Sequence, residues 1–234
     1  MSRSAPTNTL VNPAVRFIDW DSEKGQFKYW DKDKKENVEM ELPVKFYVLD
    51  ELTTIKGFSD KHQGGMWSNE VKYLDSQKLK VAGKGKDGKM FNVAEGLYSD
   101  IKDAVVASGG KYTRSLYVAM LDEKDEYQIF NFQLKGAAFS GWLDFCKDKK
   151  GSIMTDLIIC NDFKREKKGA TKYTIPVFSS ESASEEGNEA AINLDVKLQE
   201  FLKLYFEKTQ ASVEYVDDVV KNGSSEENVN DLPF

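Results

Sequence analysis

The chain has 234 residues, 40% of them hydrophobic and 31% charged, the proportions of an ordinary globular protein with room for one large domain or two small ones. Its formal charge of −6, taken whole, argues against a nucleic-acid binder. The distribution removes most of that objection: residues 1–180 hold 29 basic and 26 acidic groups, net +3, and residues 181–234 hold 4 and 13, net −9. A mildly basic body precedes a strongly acidic tail. No stretch approaches the roughly twenty apolar residues of a membrane span, and the polar start MSRSAPTNT is not a signal peptide. A cytoplasmic protein without membrane contact is therefore expected. Cys146 and Cys160 lie in apolar surroundings without a CxxC spacing, which predicts buried thiols in a reducing compartment, with a disulfide as the alternative.

Residues 1–13 are polar and predict a flexible N-terminus. Residues 15–20 and 26–30 are aromatic-rich strand patterns joined by an Asp-Ser-Glu-Lys-Gly turn, hence a hairpin. Residues 38–42 alternate weakly and stop at Pro43; residues 44–49 then give the strongest strand signal of the first half, fit for a sheet core. The glycines and polar residues of 57–65 predict a loop before a strand at 66–71. His62, the single histidine, stands in that loop without a neighbouring cysteine, so it reads as a solvent-exposed side chain rather than a metal ligand. Strands at 78–81 and 90–93 flank an Asp87-Gly88 hairpin turn, making a finger that carries Lys84, Lys86 and Lys89.

Residues 95–107 place Leu97, Ile101 and Val105 on one helical face, and Ser108-Gly109-Gly110 ends the pattern. Long strands follow at 112–121 and 127–134, the second with Phe130, Phe132 and Leu134 on one side and Asn131 and Gln133 on the other. Residues 137–148 predict a short helix whose apolar face holds Phe139, Trp142, Leu143, Phe145 and Cys146. A buried strand ending at 157–160 and a partner at 173–178 enclose a loop at 161–172, the most basic stretch of the chain. Residues 179–189 have linker composition. Residues 190–206 predict a helix with Leu194, Leu198, Phe201, Leu202 and Tyr205 as an apolar stripe for the body or another subunit, and the acidic tail runs over 207–234.

These elements predict a mainly β protein with a few helices. An OB-fold-like Greek-key barrel over residues 14–178, with extended hairpin loops, is the expected body, because that small barrel binds single strands or sugars and tolerates long loops. Gripping a single strand irrespective of sequence needs flat rings for bases and cations for phosphates. Candidates interleave along the chain: Lys28 and Trp30; Trp67, Lys72 and Tyr73; Lys84 and Lys86; Lys111, Tyr112 and Arg114. The basic loop adds Lys164, Arg165, Lys167, Lys168, Lys172 and Tyr173. The competing reading of each ring is core packing, which is favoured for Phe17, Phe46, Phe130 and Phe132, and of each charge run a solvated turn.

The tail closes with Asn230-Asp231-Leu232-Pro233-Phe234. Pro233 fixes the backbone in advance, Phe234 can fill an apolar pocket, and the carboxylates of Asp231 and the terminus can meet a basic rim. This ending resembles the tip of bacterial and phage single-stranded DNA-binding proteins, whose tails typically close with acids followed by Ile or Leu, Pro and Phe; Asn230 stands where that family often has another acid. The resemblance implies a protein that coats and protects single-stranded DNA during phage DNA replication, recombination and repair. It also implies recruitment of polymerase, primase or helicase through Asp231, Leu232, Pro233 and Phe234, with no cofactor. The family's tetramer is not carried over to this longer body, which leaves homo-oligomerisation open. A tethered polyanion would compete with DNA for the basic groove and be expelled when DNA binds. With no Walker A loop, GxSxG, HExxH or Cys/His cluster, no catalysis and no metal are expected. Two other readings remain: a protein-interaction or virion scaffold module whose rings are all core, and an RNA binder.

Overall fold

The computed structural model describes residues 10–149 and 153–221, of which 210–221 as helix backbone only. The elements in chain order are β1 (Arg16–Asp21), β2 (Gln26–Asp31), β3 (Glu36–Met40), β4 (Val44–Ser59), β5 (Gly64–Ser68), β6 (Leu79–Lys84), β7 (Met90–Gly96), α1 (Tyr98–Ala107), β8 (Gly110–Leu121), β9 (Tyr127–Lys135), α2 (Ala137–Asp148), β10 (Asp156–Lys168), β11 (Thr171–Ser182) and α3 (Glu185–Lys221). The protein is mainly β, with three helices among the described residues.

The strands form one mixed sheet in the order β3-β2-β1-β9-β8-β4-β5-β6-β7, parallel between β1 and β9 and antiparallel elsewhere. Strand β4, 16 residues long, is shared three ways: its start pairs with β10, its length with β8 and its end with β5. Among the described residues β3 and β7 each have a single strand neighbour, so this path is an open sheet.

Successive strand residues point to opposite faces, and here one face is apolar throughout. Ile18, Trp20, Phe27, Tyr29, Leu116, Val118, Phe130, Phe132 and Leu134 meet on it, with Phe46 from β4 and Phe178 from β11. Phe27 and Phe132 contact edge to face at 4.8 Å, a preferred aromatic geometry. Helix α2 closes this core with Trp142, whose indole donates to Glu51 at 3.0 Å. Further along the same face, Ile101 and Val105 of α1 pack with Ile55, Leu79 and Val81.

Three elements extend beyond what periodicity predicts. Strand β4 continues through Gly57 to Ser59, leaving a turn of residues 60–63 instead of a loop over 57–65. Gly57 belongs inside a strand because a Cβ there would collide with the Gly109 carbonyl oxygen. The stretch 161–172 is not a loop. Both arms of it are strand, paired up to Lys168↔Thr171, and Gly169 turns the chain at φ +62°. Helix α3 begins at Glu185, where the Ser184 hydroxyl accepts from the Gly187 N–H at 3.1 Å as an N-cap, so most of the expected linker is ordered. At the Asp87-Gly88 turn only Gly88, at φ +81°, takes the left-handed conformation.

By its contacts the chain divides into two compact units, Ala14–Asp195 and the described residues before Ala14 and after Asp195. In the first, Gly187 lets the start of α3 approach the Tyr47 ring, which a Cβ would meet. In the second, Leu198, Phe201 and Leu202 are buried, and the Phe201 and Tyr205 rings stack with centroids 5.7 Å apart. No helix of the described residues is long and apolar enough to cross a membrane.

Candidate functional site

The residues that alternate with the apolar core populate the opposite face of the same sheet; Tyr47, Leu52, Tyr117, Ala119 and Ile129 are buried there too, and the others are of a different kind. Reading across paired strands gives Asp19, Gln133 and Ser115 in one row, Lys135 and Thr113 in the next, then Lys111, Lys56 and Trp67. At the far end Phe58, Gly65, Lys84 and Met90 are cross-strand neighbours on β4, β5, β6 and β7. Lys28 and Trp30 of β2 share this face at the other end, because Phe27 and Tyr29 between them turn inward. Trp30, Phe58 and Met90 are 55%, 52% and 54% exposed. Neither α1 nor α2 packs here, since both cover the apolar side.

The middle of the face is a buried polar network. Asn131 donates to the Ser115 hydroxyl at 2.7 Å, Gln133 donates to the Asn131 side-chain oxygen, and Ser115 donates to Glu70. Tyr117 donates to the second Glu70 oxygen at 2.8 Å. Burial raises the Glu70 carboxyl above the usual range, and the two hydroxyl donors pull it back. Uncompensated polar groups in an interior cost about 1–3 kcal/mol each; most of this row is bonded, and the Gln133 Oε1 is buried without a partner among the described residues. The exposed rings and cations therefore fall at the two ends of the face.

Lys56 stands beside the network. Burial holds its amine below the usual lysine range, Lys135 adds to that effect, and Glu70 and Asp19 oppose it. In the ladder Lys56 lies directly opposite Lys111. Lys111 is exposed, whereas the charges that act on Lys56 are those of Glu70, Asp19 and Lys135. Lys135 and Lys28 differ, being paired within the protein to Asp19 and, at 2.8 Å, to Asp21.

A second cationic group lies on the β10–β11 ribbon. Lys167 directly opposes Lys172, and Arg165 lies two residues back on the same side. Lys164 and Lys168 are exposed and alternate to the other side, with half-buried Tyr173. Thr174, which donates twice to the Ser22 carbonyl and accepts from the Trp20 indole, anchors the ribbon to the β1–β2 turn. The Arg165 guanidinium stacks 5.2 Å from the Phe163 ring. This ribbon belongs to the apolar side of the sheet through Cys160 and Phe178.

Of the residues singled out in the sequence, Lys28, Trp30, Trp67, Lys84 and Lys111 thus share one sheet face, and Lys86 is exposed in the adjoining β6–β7 turn. Tyr112 and Arg114 point to the opposite, apolar face: Tyr112 packs on Tyr98 and Phe139, and Arg114 pairs with Glu51 at 3.7 Å. Lys72 pairs with the buried Asp50 at 2.9 Å, next to an exposed Tyr73 in the turn that Gln77 closes. Asp231, Leu232, Pro233 and Phe234 lie outside the described residues. Lys56, Lys135, Phe58 and Gly65 were not legible as site residues; only the sheet register puts them beside Trp67 and Lys84.

His62 stacks on Phe91 at 4.1 Å, with Phe91 lying over Gly83 on the other side of the finger. Cys146 and Cys160 are free thiols, pushed up by burial to about 11 and about 12. Among the described residues no group of His, Cys, Asp or Glu is placed to hold a metal ion. Comparison of the chain with protein-family models, with curated proteins and with solved structures finds no match.

Proposed function

We propose that the protein binds single-stranded DNA, coating and protecting it, and acts as a binding protein rather than an enzyme. The observation that carries this reading is the face opposite the core, where Lys56, Lys111 and Lys84 fall in two adjacent rows with the exposed Phe58 ring, and Lys28 and the exposed Trp30 ring stand at the other end. Cations for phosphates and flat apolar surfaces for bases, without a deep pocket, suit an unpaired strand of any sequence. The body is read as an OB-like module: β4 is long enough to bond β10 at one end and β5 at the other, so the sheet wraps the aromatic core. The protein works in the cytoplasm on this reading, and its acidic tail recruits replication proteins through residues 231–234.

Tryptophan emission tests it. Trp20 and Trp142 are buried in the core, so quenching on addition of oligothymidylate must come from Trp30 and Trp67. Binding is expected to favour single strand over duplex and to weaken with salt at a slope of about −0.7 per phosphate neutralised. Unchanged emission and no mobility shift would leave the scaffold reading, and preference for RNA in direct competition would redirect the function to RNA. Deletion of residues 222–234 should tighten DNA binding at low salt and abolish capture of a replication partner.

A further inference from the structure

The far end of the polar face carries a feature that a general basic surface does not require. Phe58, Gly65, Lys84 and Met90 are consecutive cross-strand neighbours, one on each of β4, β5, β6 and β7, and all four are exposed. Gly65 leaves a gap in this row. A Cβ built there meets nothing within 4 Å, and its backbone is not in the left-handed region, so neither crowding nor conformation demands glycine. Phe58 and Lys84 stand two strand spacings apart, about 9–10 Å, across that gap. A planar ring with a stacking neighbour on each side needs roughly 7 Å.

We propose that Phe58, Gly65 and Lys84 form a slot for one nucleobase, laid on the Phe58 ring over the bare Gly65 backbone, with its phosphates held by Lys56 and Lys111 in the adjacent row. The inference rests on the nucleic-acid reading above and adds a location to it. The occupant follows from the charges. The two rows hold no acidic residue, and Lys84 and Lys111 are exposed in them, so an apolar protein partner would leave these two cations without a counter-charge, whereas a base brings a phosphodiester with it. Phe91 and His62 stack on the reverse side of the same ribbon, away from the slot.

The test fills the slot without disturbing the fold. Gly65→Val puts a strand-favouring side chain into open space, so thermal stability should be kept or slightly raised. Its affinity for a fluorescein-labelled oligothymidylate, read by anisotropy, should fall about tenfold, as loss of one stacked base implies. Phe58→Ala should show a similar loss, and Met154→Ala, an exposed apolar residue elsewhere, none. On an abasic oligonucleotide of equal length the wild-type protein and Gly65→Val should bind alike. If the wild-type protein binds oligothymidylate and both slot variants match it, the slot is wrong and the general reading survives; if the wild-type protein does not bind, both fall.

Discussion

The two faces of the central sheet are made by the same strands, alternating residue by residue, yet they solve different problems. On one, Phe27, Phe130, Phe132 and Leu134 are buried against α2 and the β10–β11 ribbon. On the other, Lys56, Lys111, Lys84 and Phe58 are left at the surface or half-buried, and the polar residues of β8 and β9 farther along the face are hydrogen-bonded to one another. Both faces contribute to folding, the second through buried Tyr47, Leu52, Ala119 and Ile129, but it also holds the half-buried cation of Lys56. Where Phe58, Lys84 and Lys111 are exposed, stability and recognition are separable by a shift of a single residue along the strand. Substitutions should sort accordingly.

The largest expected effect lies on the apolar face. Phe132→Ala removes a ring in contact with Phe27 at 4.8 Å and Phe46 at 5.0 Å, and should destabilise the protein by about 3–5 kcal/mol in urea unfolding. A loss below about 1 kcal/mol would mean that this face is not the core. One residue position away in parity, Lys56→Met should act in the reverse sense. It should weaken oligothymidylate binding about tenfold and lower the salt slope by about 0.7, while raising stability at neutral pH by removing a cation that burial disfavours.

The pH dependence of that gain has a fixed sign. Burial holds the folded-state amine of Lys56 below its unfolded value, so the penalty is complete below the folded pKa and fades as pH rises toward the unfolded one. The stability advantage of Lys56→Met should therefore shrink between neutral pH and pH about 10. An advantage that grows over that range would contradict the assignment.

The β10–β11 ribbon sharpens the comparison, since its cations lie on the core side of the sheet. Lys167→Glu turns the pair with Lys172 into an attractive one and should add a few tenths of a kcal/mol to stability. If the ribbon contributes a phosphate contact, affinity drops a few-fold; an unchanged affinity would confine binding to the other face. The smallest effect concerns the thiols. Cys146 and Cys160, held up to about 11 and about 12, should react with a disulfide reagent at pH 8 far more slowly in the folded protein than in urea, and fast labelling of both would show them exposed.

Much of the strand pattern was legible. The alternation in 127–134 already separates Phe130, Phe132 and Leu134 from Asn131 and Gln133, and the observed faces match it. Helix α2 was readable to the residue because its apolar side chains repeat over three turns, although Leu143 is partly exposed. The basic stretch misled because charge density resembles a loop, yet Lys164, Lys167 and Lys168 are strand residues whose backbone bonds are satisfied by β11. Linker composition hid the start of α3 for a similar reason, as one serine at an N-cap outweighs its neighbours' weak propensity.

What the sequence determined by itself is local: where strands and helices arise, which side of each is apolar, and that a basic body precedes an acidic tail. Those properties depend on residues two to four positions apart, which one chain displays directly. What only the tertiary structure decided is which strands are neighbours. Lys56 is 55 residues from Lys111 and Phe58 is 26 from Lys84, and nothing in their local surroundings indicates that they share one face. Register across an antiparallel ladder sets that face, because a slip of one residue would exchange buried rings such as Phe130 and Phe132 for Asn131 and Gln133.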